Sequence, residues 1–135
     1  MELEVTSGAI ATLLDESRRA APAECCGLLL GPPPGQGARI VRAVAAANVH
    51  PDPYRHFEID PAALIAAHRA ERDGGLPLIG YYHSHPGGHP IPSATDCEHA
   101  SGDGRVWAIV ADGTVRFFRD GESGFLPLPT RVVEG

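Results

Sequence analysis

The sequence predicts an α/β domain, a single mixed β-sheet flanked by helices. Apolar residues recur at helical spacing near residues 7–20 and 61–73, and these stretches alternate with short apolar runs bounded by glycine and proline. The 135 residues are 43% hydrophobic and 21% charged, enough to bury one core without staples. No repeat, low-complexity tract or long linker divides the chain, so one domain is expected over residues 1–135.

Ile10, Leu13 and Leu14 follow Ser7, the expected cap of a first helix that Pro22 stops. "CCGLLLG" reads as a buried strand that turns at Gly31 and the prolines at 32–34. "ARIVRAVAAANV" reads as one further strand, its hairpin partner. A loop over 48–59 ends in strand-prone "HFEI". Asp60 and Pro61 then suit the cap and first residue of a second helix, which Gly74 and Gly75 end. "LPLIGYYHSH" is strand-like, and the proline-rich stretch behind it cannot be regular. Ser93 and Asp96 match the serine-x-x-acid start of a short helix. "RVWAIVADGTVRFFRD" gives two strands about Asp112-Gly113, a hairpin turn. "ESGFLPLPTRVV" reads as one short edge strand, and exposed edges would permit a homodimer.

Composition excludes several functions. A formal charge of −6 supplies no positive field for nucleic acid or an anionic membrane. No stretch approaches the roughly 18 to 20 apolar residues of a spanning helix. Cys25, Cys26 and Cys97 form no CxxC, against a disulfide framework or a four-cysteine zinc site, so buried inert thiols and a cytoplasmic location are expected. The acidic N-terminus lacks the basic start of an export signal. All eleven basic residues are arginine, so no lysine can accept an isopeptide-linked modifier.

On a strand, His83 and His85 project to one face while Ser84 points away. A catalytic zinc takes about three protein ligands and keeps one position open. Asp96, in the first turn of the helix that the proline-rich loop returns toward the strand, supplies a suitable third. Taken singly, Ser93 and Asp96 are what any helix start favours, and His-Pro pairs occur in ordinary loops. Their combination points to a metal, and such a donor set also suits iron, cobalt or manganese.

His83, Ser84, His85 and Pro86, then six residues, Ser93, two residues and Asp96, resemble the signature of the JAMM metallopeptidases, also called the MPN-plus or Mov34 family. "PAECCGLLLG" resembles the segment that places the family's upstream glutamate at Glu24. "FEIDP", "GYYHSHP" and "RVWAIV" follow in the order of its small bacterial members. The resemblance implies the MPN fold, related to the cytidine deaminases, with zinc held by His83, His85 and Asp96. It implies Glu24 as general acid and base, a residue that seen alone would read as a surface glutamate. Ser93 is implied as donor to the oxygen where charge develops, a role that either competes with capping or leaves the cap to a backbone group. A zinc deaminase would need a CxxC, and a structural zinc a fourth ligand, and the chain offers neither. Scaffolding MPN domains lack the ligands, whereas every signature position is filled here.

The activity implied is hydrolysis of the amide bond after the Gly-Gly tail of a ubiquitin-like β-grasp protein. So short a chain has little room for insertions that recognise a second ubiquitin, which favours a sulfur-carrier protein carrying an added amino acid. Removal of a ubiquitin-like tag from protein lysines is the alternative. "RHFEI" is the expected edge for tail pairing, with a proline at Glu58 expected to raise KM. His89 is expected at the surface, His50, His56, His68 and His99 in solvent, and Trp107 as a core aromatic.

Overall fold

The structure is a computed structural model that describes residues 2–33 and 38–135. Its elements are β1 (Leu3–Thr6), α1 (Ser7–Ala20), β2 (Cys26–Leu30), β3 (Arg39–Ile40), β4 (Arg42–Ala46) and α2 (Pro61–Arg72). They continue as β5 (Leu78–Ser84), α3 (Ala94–His99), β6 (Val106–Ala111), β7 (Thr114–Gly121), β8 (Gly124–Pro127) and β9 (Thr130–Val133). Six strands form a mixed sheet in the order β4-β2-β5-β6-β7-β8, in which β5 and β6 run parallel and the other neighbours antiparallel. A second, parallel sheet has the order β3-β1-β9.

The apolar stripe of α1 sets the layering. It buries Ala9 and Leu13 with Leu29, Tyr82, Ala108, Val110 and Phe117 of the large sheet, while Leu3, Val5 and Ile40 close the core from the small one. Side chains alternate along β5, so Tyr82 joins this core and its neighbours Tyr81 and His83 meet Trp107 on the other face. That second face, away from α1, carries the chemistry. β5 needs glycine at position 80 because any side chain there would run into the Val106 carbonyl of β6. Asp112 and Gly113 take φ of 47° and 85°, the left-handed pair that the expected tight hairpin requires.

Local signals erred where distant strands decide the outcome. The cap of α1 is Thr6, not Ser7: Thr6 Oγ1 accepts from the Ala9 amide at 3.2 Å. The run 38–49 is not one strand, since β3 joins β1 in the small sheet and β4 alone is the hairpin partner of β2. The C-terminal stretch is likewise two strands, β8 on the large sheet and β9 beside β1. Glu4 fastens the small sheet by reaching Arg39 on β3 and Arg131 on β9, and these partners hold its carboxyl below the usual range. The turn expected at 32–34 lies partly outside the described residues, which omit Pro34.

Candidate metal centre

β5 delivers His83 with its ring fully buried, and His85 lies just past the strand, its amide still bonded to the Val110 carbonyl at 2.8 Å. α3 returns Asp96 to the same point. The Nε2 atoms of His83 and His85 are 3.0 Å apart, and Asp96 Oδ2 stands 3.1 Å and 3.3 Å from them. Ligands at roughly 2.0 to 2.2 Å around a tetrahedral ion would be separated by roughly 3.3 to 3.6 Å. The three donor atoms are therefore gathered at nearly the spacing of one ion's coordination sphere. All three are Lewis bases; without a metal, protons shared between them hold them together, and a cation in their midst would take the place of those protons.

The ring orientations agree. His85 Nδ1 donates to the His89 carbonyl at 2.9 Å, which places its proton there and leaves the Nε2 lone pair facing the cluster. Among the described residues His83 Nδ1 is buried without a partner, and the polar contacts of the ring lie on the Nε2 side. Burial pushes the His83 pKa down, favouring the neutral ligand form. Burial would lower His85 too, but in the metal-free protein Asp96 and the His89 carbonyl outweigh this and raise it, favouring a proton on Nε2 that a bound ion would displace. Asp96 is buried, yet the two imidazoles hold its carboxyl far below the usual range, so it stays ionised. The donors thus fit a divalent ion in charge as well as spacing.

Glu24 also lies close, with a carboxylate oxygen and one ring nitrogen each of His83 and His85 all within 4.8 Å of one another. A Glu24-His83-His85 cage can be drawn, but the His83-His85-Asp96 set is tighter and its carboxylate is ionised. Glu24 instead has its pKa raised to about 7, chiefly by burial. Its backbone is clamped on both sides. Its amide donates to the Pro53 carbonyl at 2.8 Å, its carbonyl accepts from Asn48 Nδ2 at 3.0 Å, and Ser84 Oγ accepts the next amide, of Cys25, at 2.9 Å. The serine between the histidines thus points away from the donors and secures Glu24.

This environment has a measurable cost. In the metal-free protein the Glu24 pKa lies above its unfolded value of 4.5, so the folded chain is favoured below about 4.5 and loses that advantage as pH rises through about 7. Glu24→Gln removes the buried charge. Metal-free Glu24→Gln is expected to be more stable than the wild type at pH 8 by on the order of 1 to 2 kcal/mol, discounted for partial solvent access. The gap closes toward pH 4.5, and thermal unfolding across that range with chelator present checks it.

Ser93 caps α3 and shares a capping box with Asp96: its Oγ accepts the Asp96 amide at 3.0 Å, and its own amide donates to Asp96 Oδ2 at 2.9 Å. Capping uses Ser93 only as an acceptor and leaves its hydroxyl proton free. The cap is thus the side chain and not a backbone group, and it occupies a lone pair of the hydroxyl without using its proton.

Two neighbours, Phe57 and Asn48, carried no readable signal, while Trp107 is buried as expected of a core aromatic. Phe57 stacks on the His83 ring at 4.2 Å between centroids, and Trp107 meets it edge-on at 5.7 Å, shielding the buried imidazole from water. Asn48 binds Glu24 from a loop. His56, half-buried against expectation, and His99, exposed as expected, line the cleft over the donors, with Arg55 and Thr95. An apolar groove continues from it past Phe57 and Trp107 to Ile59, Leu64 and Tyr81. Cys25 and Cys26 are buried, and burial raises both thiols, consistent with inert roles, while Cys97 is exposed.

A model of the prokaryotic homologues of the JAB domain matches residues 6–121. The chain belongs to this family. A desampylase of Haloferax volcanii is 38% identical over 112 residues, covering 79% of this chain and 78% of that protein. A probable TtuB-protein conjugate cleaving protease of Thermus thermophilus is 39% identical over 92 residues, covering 65% of this chain and 59% of that one. The solution structure of a Desulfitobacterium hafniense protein superposes with a TM-score of 0.87 at 26% identity, over 98% of this chain and 94% of that chain. A structure described as a metalloprotease-like zinc site in the proteasome and signalosome shares the fold, with a TM-score of 0.63 at 17% identity, over 99% and 100% of the two chains. The JAB-family chain is a hydrolase of the JAMM type with a mixed α/β fold. Among the described residues, no helix is long and apolar enough to cross a membrane.

Proposed function

We propose that this JAB-family protein is a zinc-dependent isopeptidase, cutting the amide bond after the C-terminal Gly-Gly of a ubiquitin-like β-grasp protein. The observation that carries the reading is the meeting of His83, His85 and Asp96 at 3.0 to 3.3 Å, with Glu24 beside them. His83, His85 and Asp96 would hold the zinc, which when bound supplies Lewis-acid activation of a water. Glu24, with a pKa near 7, takes a proton from the attacking water and returns it to the leaving amine. Ser93 donates its free hydroxyl proton toward the carbonyl oxygen as charge develops on it.

The tail is proposed to lie along Phe57–Ile59. Glu58 is spoken for, since its carbonyl accepts from Val49 at 2.9 Å and its amide donates to Asn48 Oδ1 at 3.0 Å. Phe57 and Ile59, on the alternate register, are left to meet an added strand. A proline at Glu58 would therefore break the loop itself, and Ile59 is the position that tests the edge.

The names of the relatives support a protein amine as leaving group, released from a conjugate of a small ubiquitin-like modifier. One observation favours a carrier bearing a free amino acid instead: Arg55 lines the cleft with Glu24, where it can meet a carboxylate on the departing group. The test is incubation with β-grasp carriers joined after Gly-Gly either to a protein lysine or to a single amino acid, with and without chelator. Cleavage after Gly-Gly that disappears on chelation is expected. A metal-loaded protein that leaves both substrates intact contradicts the reading.

A further inference from the structure

We infer that Asn48 is a positioning residue that couples the proton-transfer group to the substrate edge; this rests on the isopeptidase reading above. Asn48 lies just past β4, where it forms a single antiparallel bridge with Ile59. All four of its amide's hydrogen-bonding positions are filled. Nδ2 donates to the Glu24 carbonyl and to the His56 carbonyl, each at 3.0 Å. Oδ1 accepts from the His50 amide at 3.1 Å and from the Glu58 amide at 3.0 Å. Two carbonyls on one side and two amides on the other fix the amide's orientation without ambiguity.

The two ends of the side chain do different work. The donor end binds the backbone of Glu24, whose amide is already tied to Pro53 of the same 50–58 loop, so the general base and the loop move as one body. The acceptor end binds Glu58, between the two residues that face an incoming tail, and His50 at the loop's start. Neither end reaches the metal donors. A side chain that satisfies four main-chain groups, three in the 50–58 loop and one at Glu24, is expensive to replace, because each substitution orphans part of the set.

This division separates two variants. Asn48→Asp keeps both acceptor contacts and loses both donors, while Asn48→Ala loses all four. The experiment measures zinc content, thermal unfolding and steady-state cleavage of the carrier conjugate by the zinc-loaded wild type and both variants. Asn48→Asp is expected to lower kcat about tenfold or more with KM within about threefold, because Glu58 and His50 stay bonded while the Glu24 and His56 carbonyls are released. Asn48→Ala is expected to lower kcat similarly and to raise KM about tenfold as well, with both variants still binding one zinc. The inference is overturned if Asn48→Asp leaves kcat within threefold of wild type. It is equally overturned if both variants lose activity only in step with lost zinc or lost folded protein, since Asn48 would then be purely structural. A zinc-loaded wild type that cleaves no conjugate fails the isopeptidase reading, and this inference with it. A cleaving wild type with indifferent variants fails the inference alone.

Discussion

Replacing Glu24 by glutamine is expected to cut kcat by a factor of about 10² to 10⁴ while leaving one metal ion bound per chain. Glutamine keeps the shape and the backbone clamps from Pro53, Asn48 and Ser84, so only the carboxylate that accepts and returns the proton is lost. Because Glu24 stands outside the tight donor set, metal content should not follow activity down. Paired measurements of zinc by atomic absorption and of turnover on one preparation check this. Parallel loss of both would place Glu24 among the ligands and leave the proton transfer to another group.

Asp96→Asn is expected to do the reverse. The amide oxygen can still accept from the Ser93 backbone and keep α3 capped, but it carries no charge to offset an ion held by two neutral imidazoles. Metal affinity should fall by more than the roughly 10- to 100-fold that loss of an outer-shell partner costs, and turnover should vanish at limiting zinc. Asp96→Ala adds the loss of the capping box, about 1 kcal/mol of stability. A zinc-binding isotherm for each variant separates the two effects: both lose affinity, and alanine alone destabilises the metal-free fold beyond asparagine.

The parts of this protein legible from sequence are those governed by neighbours in the chain. Asp60-Pro61 starts α2 and Asp112-Gly113 turns β6 into β7, because a cap and a left-handed turn are decided within four residues. His83, Ser84 and His85 obey the two-residue period of a strand, so the face each one occupies follows from its position in the chain. The small sheet was not legible, because β1, β3 and β9 are only two to four residues each and find partners far away in the sequence. Val41, which divides β3 from β4, carries no breaker signal and is turned by its bond to Leu30. At the site, the donors and Glu24 came from the motif, whereas the supporting residues did not. Phe57 and Asn48 look ordinary in a loop, and only tertiary packing puts the ring on His83 and the amide on Glu24.

Titrating the metal-free protein with zinc while following conjugate cleavage asks most directly whether one ion at His83, His85 and Asp96 performs the hydrolysis. Activity is expected to rise in proportion to added zinc, to break at one equivalent per chain, and to be absent throughout in His83→Ala. Full turnover without metal, or an active His83→Ala protein, would contradict the metal centre and the function built on it.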